Sequence, residues 1–231
     1  MITIILTFLL TLPVTIYLAF KDLKEKKGKI HLYGIYGFFG LPGRGKTLSM
    51  SKKLLELRKK YGNRILITTN YGFKEQDFEF TDWKQLLDKY DKPLVVAWDE
   101  IQNELNSRNW KDFPMSLLTQ LTQVRKGNGI QVFYTAQRWH FVDKNFRSLT
   151  FGCYDCMTWL GRFTFTRLYD PVSYDDLCSK TDVNLRRSIK PKKSEPFIQT
   201  DKIRDSYDSY QMLETAKTKE YMDRIELAKL R

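Results

Sequence analysis

The sequence predicts an α/β protein in which helices flank a mostly parallel sheet, with an N-terminal transmembrane helix and a C-terminal amphipathic helix. Strand-like and helix-like segments alternate through the middle of the chain, which is typical of parallel strands joined by crossover helices. A glycine-rich loop separates the first strand-like segment from the first helix-like one, and a later apolar strand runs into two carboxylates. The chain has 231 residues, enough for one substantial core with appendages.

The start of the chain predicts a membrane anchor. Residues 1–20 contain no charged side chain, and a helix of that length, at about 1.5 Å per residue, spans a hydrocarbon core of about 30 Å. A basic juxtamembrane segment follows at residues 21–29, which by the positive-inside rule places the chain from Gly28 onward in the cytoplasm. A cleaved signal peptide would instead carry basic residues before the apolar stretch. A buried core helix is the other alternative.

The glycine-rich loop matches the phosphate-binding pattern GxxxxGK[ST] in full. Its residues are Gly40, Leu41, Pro42, Gly43, Arg44, Gly45, Lys46 and Thr47. A strand predicted over residues 30–39 precedes it and a helix predicted over residues 48–60 follows it, the order that a P-loop NTPase requires. We expect this loop and Leu48 to bind the nucleotide, with Lys46 on the β- and γ-phosphates and Thr47 on Mg²⁺.

The predicted Mg²⁺ site includes a carboxylate at the end of a buried strand. Residues 94–98 are continuously apolar, as a parallel strand covered on both faces requires. Asp99 and Glu100 follow at the carboxyl edge, where open α/β sheets bind ligands. We predict that Asp99 binds Mg²⁺ through water and that Glu100 is the general base toward the attacking water. An ordinary surface charge is the alternative for either acid.

Two further strands, over residues 64–69 and 130–135, complete the predicted sheet. Gln137 follows the second of them at the same carboxyl edge. A neutral amide there can hydrogen-bond both a γ-phosphate and the attacking water, so we predict a catalytic sensor role for Gln137. A solvent-exposed glutamine is the alternative.

The order of these motifs resembles that of the zonula occludens toxin-like ATPases of filamentous phages, within the FtsK-HerA group of DNA-pumping ATPases. The resemblance covers about residues 29–175 and is carried by the segments GLPGRGKT, ILITTN, LVVAWDEIQNELNSRNW, LLTQLTQVRKGNGIQVFYTAQ and FVDKNFRSLT. It implies a RecA/FtsK-HerA-like fold, ATP and Mg²⁺ as ligands, a homo-oligomeric ring such as a hexamer, and the phage genome as DNA cargo.

The same resemblance implies work at the host cytoplasmic membrane, with phage coat or other assembly proteins as further partners. In relatives the membrane segment usually follows the ATPase domain, whereas here the predicted single-pass anchor precedes it. Both DNA packaging and virion extrusion therefore stay open as the task of this ATPase.

Ring ATPases stabilise the charge that develops on the γ-phosphate with an arginine from the neighbouring subunit. The candidates are Arg108, Arg125, Arg138 and Arg147. Arg125 stands just before a Gly-Asn-Gly turn, at a predicted helix end that can face a partner, so we rank it first as the catalytic arginine. A contact with a nucleic-acid phosphate or a solvated charge is the alternative for each.

Composition divides the rest of the chain. Residues 151–169 are aromatic and alternating around Gly161, which predicts a hairpin at the sheet edge within an ATPase domain of residues 30–178. Residues 179–204 are polar and basic and predict a flexible linker that binds DNA or lipid headgroups, or is merely solvated. Residues 205–231 predict an amphipathic helix.

Charge and cysteine content limit the partners. Lys and Arg number 39 against 27 Asp and Glu, a net charge of +12, which favours polyphosphate or an anionic membrane over simple solubility. The cysteines, Cys153, Cys156 and Cys178, are too few for a disulfide framework. Because Cys153 and Cys156 have metal-site spacing, a zinc site is an alternative to ordinary strand cysteines.

The leading functional hypothesis is a membrane-anchored ATPase that forms a ring and moves DNA. The alternative is a nucleotide-dependent membrane scaffold or switch that recruits assembly partners and hydrolyses ATP slowly. Stimulation of ATP hydrolysis by DNA distinguishes the two. A small-molecule kinase has less support, because no acceptor-binding motif accompanies the phosphate loop.

Overall fold

A computed structural model describes residues 30–103, 115–123 and 128–207. Within these ranges eight strands form one sheet in the order β3-β2-β4-β5-β1-β6-β7-β8. The strands are β1 (Gly34–Phe39), β2 (Leu66–Thr69), β3 (Phe78–Glu79), β4 (Leu94–Trp98), β5 (Ile130–Ala136), β6 (Thr150–Trp159), β7 (Phe163–Tyr169) and β8 (Lys193–Ile198).

Six α-helices lie among these strands in the described part of the chain. They are α1 (Lys46–Tyr61), α2 (Met115–Thr122), α3 (Lys144–Ser148), α4 (Pro171–Ser179), α5 (Val183–Ser188) and α6 (Asp201–Arg204). Single 3₁₀ turns lie at Gly62–Arg64, Trp83–Leu87, Ile101–Asn103 and Trp139–Phe141.

The strands from β3 to β6 in the sheet order are parallel. All their carboxyl ends therefore meet at one edge, which is where open α/β sheets bind ligands. β4 has the predicted bounds and all its residues are buried, because elements cover the sheet on both faces. β1 begins at Gly34 and β2 at Leu66, a little later than predicted.

The two faces of the sheet carry separate aromatic clusters, because successive residues of a strand point to opposite faces. Phe39 packs against Trp139 and Tyr174 at ring-centroid distances of 5.3 Å and 5.1 Å, in the core that α2, α3 and α4 cover. Phe38 stacks on Tyr154 at 4.6 Å on the other face, where α1 packs. The predicted helix–sheet–helix layering is confirmed.

The predicted hairpin is also confirmed, and it extends the sheet beside β1. β6 is parallel to β1 and antiparallel to β7. The chain turns between them at Leu160 and Gly161, whose φ values are 48° and 69°. Two successive positive φ values belong to the tight turns that match the right-handed twist of hairpin strands.

The prediction of a flexible linker over residues 179–204 is wrong. Most of this segment forms α5, β8 and α6, and β8 pairs antiparallel with β7. Glu195 of β8 accepts a hydrogen bond from Lys53 of α1 at 2.6 Å. The first three residues of β8 are polar and the fourth is Pro196, so no strand pattern is visible in the sequence. Pro196 is tolerated because β8 is an edge strand.

The predicted transmembrane helix (residues 1–20), the juxtamembrane segment (residues 21–29) and residues 208–231 lie outside the described residues. In the part of the chain that is described, no helix has the length and apolar character needed to cross a membrane. The predicted C-terminal helix does not begin at residue 205, because Tyr207 forms an antiparallel bridge with Phe73.

Candidate nucleotide-binding site

The glycine-rich loop reaches α1 through backbone conformations that favour glycine. Gly43 and Gly45 have φ values of 75° and 79°, in the left-handed region where a Cβ is costly. At Gly45 a Cβ would also lie 2.6 Å from the hydroxyl oxygen of Thr158. Both backbone conformation and space therefore require glycine at position 45, and α1 begins at the next residue, Lys46.

The first turn of α1 has the character of an anion-binding site. α1 is 16 residues long, its N-cap residue Gly45 provides no side-chain cap, and its first turn contains no acidic residue. Uncapped N–H groups and the helix dipole make such a terminus electropositive, which suits a phosphate group. The Ser49 N–H donates to the Gly45 carbonyl at 2.9 Å, so the loop continues directly into the helical ladder.

Thr47 and Asp99 are in direct contact at the carboxyl end of β4. Thr47 Oγ1 donates to the carboxylate, at 3.0 Å and 3.1 Å from its two oxygens. Thr135 Oγ1 donates to Asp99 Oδ1 at 2.6 Å. Hydroxyl and carboxylate oxygens are hard ligands of the kind that Mg²⁺ takes. The donor set therefore fits the Mg²⁺ site that the sequence predicts.

Burial dominates the electrostatics of Asp99. The residue is 7% exposed, and this burial raises the pKa of its carboxyl to about 6. Hydrogen bonds from Thr135 and Thr47 act in the opposite direction, the neighbouring charge of Glu100 raises the pKa further, and Lys46 lowers it. A divalent cation favours the ionised carboxylate, so metal and proton compete for the same oxygens.

Glu100 is held beside the phosphate-loop lysine in an unusual backbone conformation. Its φ is 51°, which for a non-glycine residue costs about 1 kcal/mol or more. Its N–H donates to Thr135 Oγ1 at 2.8 Å. Its carboxylate lies 3.4 Å from Lys46 Nζ and accepts a hydrogen bond from the Gln102 amide. The strained turn after β4 thus directs Glu100 toward the phosphate loop.

Asn70 and Thr135 complete the site, although their roles are not predicted from the sequence. Asn70 Oδ1 accepts from the Asp99 N–H at 2.7 Å, and its amide donates to the Asp99 carbonyl at 3.1 Å. Thr135 connects the side chain of Asp99 to the backbone of Glu100. The available signal was position, since Asn70 directly follows β2 and Thr135 lies near the end of β5.

Two glutamines flank the acidic pair. Gln102 is 9% exposed, and its Oε1 is buried without a hydrogen-bond partner among the described residues. A buried acceptor in that condition costs about 1–3 kcal/mol. Gln137 is half-buried and lies just beyond β5 at the edge that carries Asp99. The structure thus brings Gln137 to the predicted edge and adds Gln102 as a direct partner of Glu100.

The candidate arginines differ in their freedom to reach another subunit. Arg147 lies 3.4 Å from Asp175 and stacks over Trp139, so partners in its own chain hold it. Arg138 is exposed. Arg125, the first-ranked candidate, and Arg108 lie outside the described residues.

Cys153 and Cys156 do not form a shared metal site. They lie three positions apart on β6 and therefore point to opposite faces. Cys153 belongs to the core that contains Tyr174, whereas Cys156 is on the α1 side. Burial raises the pKa of the Cys156 thiol to about 12, which disfavours the thiolate that a metal would need. Cys178 is exposed.

The hairpin braces the phosphate loop through a chain of hydrogen bonds. Thr158 Oγ1 on β6 donates to the Arg44 carbonyl at 3.1 Å and lies 2.9 Å from Thr164 Oγ1 on β7. Gln199, which is 4% exposed, donates its amide to Thr164 at 2.8 Å. This bracing chain (Arg44, Thr158, Thr164 and Gln199) lets the antiparallel half of the sheet position the loop.

No protein-family model matches the chain. No curated protein matches it either. Among solved structures, the N-terminal domain of zonular occludens toxin from Neisseria meningitidis is 23% identical, with a TM-score of 0.53, and the match covers 77% of this chain and 100% of that chain.

Two structures of the genome packaging NTPase B204 from Sulfolobus turreted icosahedral virus 2 are similar at lower scores. The complex with sulfate is 11% identical, with a TM-score of 0.48 over 74% of this chain and 94% of that chain. The complex with ATP-gammaS is 11% identical, with a TM-score of 0.44 over 61% of this chain and 93% of that chain. The similarity to the toxin domain shows that the chain has a zonula occludens toxin-like P-loop fold, which is the fold that its sequence motifs imply.

Proposed function

We propose that the chain is an ATP hydrolase, anchored in the host cytoplasmic membrane, that works as a homo-oligomeric ring in phage assembly and moves DNA during packaging or virion extrusion. One observation carries the enzymatic part of this proposal. Lys46 contacts Glu100, and Thr47 contacts Asp99, at the carboxyl edge of the parallel sheet. A phosphate-binding lysine, a metal-binding pair and a candidate base thus occupy one place.

The triphosphate of ATP would lie along residues 40–48, at the electropositive start of α1. Backbone N–H groups of the loop would contact the phosphate oxygens, and Lys46 would neutralise charge on the β- and γ-phosphates. The bracing chain holds the Arg44 carbonyl of the loop through the Thr158 hydroxyl. The loop is therefore positioned before substrate arrives, which reduces the ordering cost of binding.

Thr47 and Asp99 would hold Mg²⁺, directly or through water. The ion would supply charge neutralisation on the phosphate oxygens. Asn70 and Thr135 act on the protein side of this site, because they fix the backbone and one carboxylate oxygen of Asp99. Such supporting hydrogen bonds orient metal ligands and tune their affinity.

Glu100 is the proposed general base. Its carboxylate would take a proton from the water whose oxygen attacks the γ-phosphorus, while the bond to the β–γ bridging oxygen breaks and ADP leaves. Gln102 donates to this carboxylate and so limits its orientation. Gln137 would hydrogen-bond the γ-phosphate and the attacking water from the end of β5.

Arg125 is the proposed arginine from the neighbouring subunit. We expect a mixture of Arg125→Ala and Lys46→Ala chains to recover hydrolysis that neither variant shows alone, because mixed rings contain some intact interfaces. Failure of every mixing ratio to recover activity would contradict a role in trans. The same mixture made with Arg138→Ala, an exposed arginine beyond β5, provides the comparison.

The experiment that tests the proposal is ATP hydrolysis by the full chain, with and without single-stranded or duplex DNA. We expect DNA to stimulate hydrolysis, and Lys46→Ala to abolish it. Lys59→Ala replaces an exposed lysine of the same helix and is the matched control. Hydrolysis that is slow and independent of DNA would favour the alternative, a nucleotide-dependent membrane scaffold or switch that recruits assembly partners.

A further inference from the structure

One face of the antiparallel strands is apolar and open to solvent near the hairpin turn. Thr158 and Thr164 point toward the phosphate loop, so their strand neighbours point away from it. The residues that point away are Met157, Trp159, Phe163, Phe165, Pro196 and Ile198. We call these six residues the aromatic face. Trp159 is 59% exposed and Phe163 is 46% exposed, and large exposed apolar surfaces of this kind mark contact sites.

The turn at the end of this face also exposes an apolar side chain to solvent. Leu160 is 89% exposed and has a φ of 48°. Asn, Asp or Gly is the usual choice at such a position, because these residues tolerate positive φ and water. Leu160 therefore costs stability through its backbone conformation and gains almost none from burial. An apolar side chain at this tip favours a role in contact with a partner.

Arginines surround the aromatic face. Arg162 follows the turn, and its side chain is 51% exposed. At the other end, Arg186 and Arg187 of α5 line a cleft with Arg167 of β7. Arg162 and Arg167 have carboxylate partners in Asp201 and Asp155. Arg186 and Arg187 are exposed and form no salt bridge with a described residue. Arg186 lies close enough to Asp155 of the same cleft to oppose the rise that burial causes in the pKa of that carboxyl, so Arg187 carries the less compensated positive charge of the two.

The chemistry of this surface selects among possible partners. Flat exposed rings bordered by arginine match a polyanion with accessible planar groups, which is the composition of a single-stranded nucleic acid. A duplex keeps its bases stacked inside and would meet only the arginines. A second copy of this chain carries the same charge of +12, and Lys193 and Pro196 on edge strand β8 oppose strand addition.

We propose that the aromatic face is a binding site for single-stranded nucleic acid, in which bases stack on Trp159, Phe163 and Phe165 and phosphates contact the surrounding arginines. The site is separate from the nucleotide site and lies on the opposite side of the same strands. Leu160 at the turn adds an apolar contact to an unstacked base.

The position of the aromatic face connects a bound nucleic acid to the ATP site. This part of the inference rests on the proposed motor function. Trp159 is adjacent in sequence to Thr158, whose hydroxyl donates to the Arg44 carbonyl of the phosphate loop. A shift of β6 caused by binding at Trp159 would therefore reach the phosphate loop through the adjacent residue, Thr158. Binding of a single strand is expected to change the rate of ATP hydrolysis through this connection.

The test measures binding of a fluorescein-labelled 30-nucleotide oligo(dT) and of a 30-base-pair blunt duplex to the full chain in detergent, by fluorescence anisotropy. Each stacking aromatic removed should weaken single-strand binding by roughly 5- to 150-fold, the range that alanine substitution of such residues gives. The variants are Trp159→Ala with Phe165→Ala, and Leu160→Asn. Duplex binding should change by less than about twofold.

Matched controls address folding and electrostatics. Leu160→Asn suits the positive φ of the turn, so it should fold at least as well as the parent while still weakening single-strand binding. Phe151→Ala removes an exposed aromatic near the other end of β6 (49% exposed) and should leave binding unchanged. Arg187→Ala should weaken both probes and reduce the salt dependence of binding.

Three results would overturn the proposal. The first is unchanged oligo(dT) affinity in both the combined Trp159→Ala and Phe165→Ala variant and the Leu160→Asn variant. The second is an equal loss for single strand and duplex, which would leave only an electrostatic surface. The third is a variant that binds oligo(dT) normally but has lost another contact. A fall in oligomer mass would assign the face to a second copy of the chain, and loss of binding to anionic phospholipid vesicles would assign it to a membrane.

The experiment distinguishes a failure of the proposed motor function from a failure of the proposed binding site. ATP hydrolysis is measured on the same samples. If the variants lose oligo(dT) binding but DNA does not stimulate ATP hydrolysis by the parent protein, the binding site stands and the motor function is wrong. If DNA still stimulates ATP hydrolysis by these variants and their oligo(dT) affinity is unchanged, the motor function stands and the binding site is wrong.

Discussion

The ammonium group of Lys46 lies 3.4 Å from the carboxylate of Glu100, and Lys46 is 6% exposed. The cation proposed to contact phosphate and the carboxylate proposed to activate water thus belong to one ion pair. Phosphate oxygens bound by Lys46 would compete with Glu100 for the same positive charge. The freedom of the base to accept a proton is therefore linked to the arrival of substrate.

Glu100→Gln should separate nucleotide binding from hydrolysis. The amide keeps the shape of the side chain and its contact with Gln102 but accepts a proton poorly, so turnover should fall by about 10²- to 10⁴-fold. Affinity for a fluorescent ATP analogue should stay within about threefold of the parent, because Lys46 remains. Glu56→Gln, on the exposed side of α1, is the control. A loss of turnover below about tenfold would remove Glu100 from the general-base role.

Asp99→Asn should raise the melting temperature of the protein measured without nucleotide or Mg²⁺, while it abolishes hydrolysis. The folded-state pKa of Asp99 is about 6 and its ordinary value is 3.8, so folding disfavours the ionised form. This cost is complete above pH 6 and disappears as the pH falls below about 4. A neutral amide removes it, for a gain of about 1–3 kcal/mol at pH 7.

The pH dependence provides the control for that gain. The difference in melting temperature between Asp99→Asn and the parent should shrink as the pH falls from 7 to 4.5, because the parent carboxyl becomes protonated. Asp91→Asn replaces an exposed acid and should show no gain at either pH. A variant that is less stable than the parent at pH 7 would mean that the lost hydrogen bonds outweigh the burial of charge.

Metal affinity should fall in acid because a proton and the metal compete for Asp99. With the pKa of this carboxyl near 6, Mn²⁺ affinity should be constant above about pH 7 and should fall toward tenfold per pH unit below 6. Mn²⁺ electron paramagnetic resonance with a non-hydrolysable ATP analogue measures this without turnover. Affinity that does not change between pH 7 and 5 would place the metal away from Asp99.

Gly45→Ala and Gly43→Ala should differ sharply although both glycines have positive φ. The values are 79° and 75°, so the backbone strain on substitution is similar, at about 1 kcal/mol. A Cβ at Gly43 meets no atom within 4 Å, whereas at Gly45 it lies 2.6 Å from Thr158 Oγ1. Thermal unfolding should therefore show a larger loss for Gly45→Ala.

A double substitution isolates the clash from the strain. Thr158→Ala removes the oxygen that the new methyl group would meet, so Gly45→Ala should cost less in a Thr158→Ala background than in the parent. Additive losses in this cycle would show that Thr158 does not restrict position 45. Hydrolysis measured on the same variants reports whether the bracing chain also positions the loop for catalysis.

The sequence by itself determined the parts of the site that local pattern encodes. The phosphate loop follows from glycine spacing before Lys46 and Thr47. The buried strand β4 follows from an apolar run of the length that a strand needs, and its bounds agree with the structure. Each of these features depends on neighbouring residues, and a fixed local spacing is enough to identify it.

Only the tertiary structure decided which distant residues support that site. Asn70 and Thr135 lie 29 and 36 positions from Asp99 in sequence, yet they hold its backbone and its carboxylate. β8 and Gln199 come from a segment whose composition predicts a linker, but they gain partners from β7 and α1. Hydrogen bonds of this kind depend on sheet order and register. These arise when separate segments pack together, because a polar residue buried by that packing must find its partner across strands.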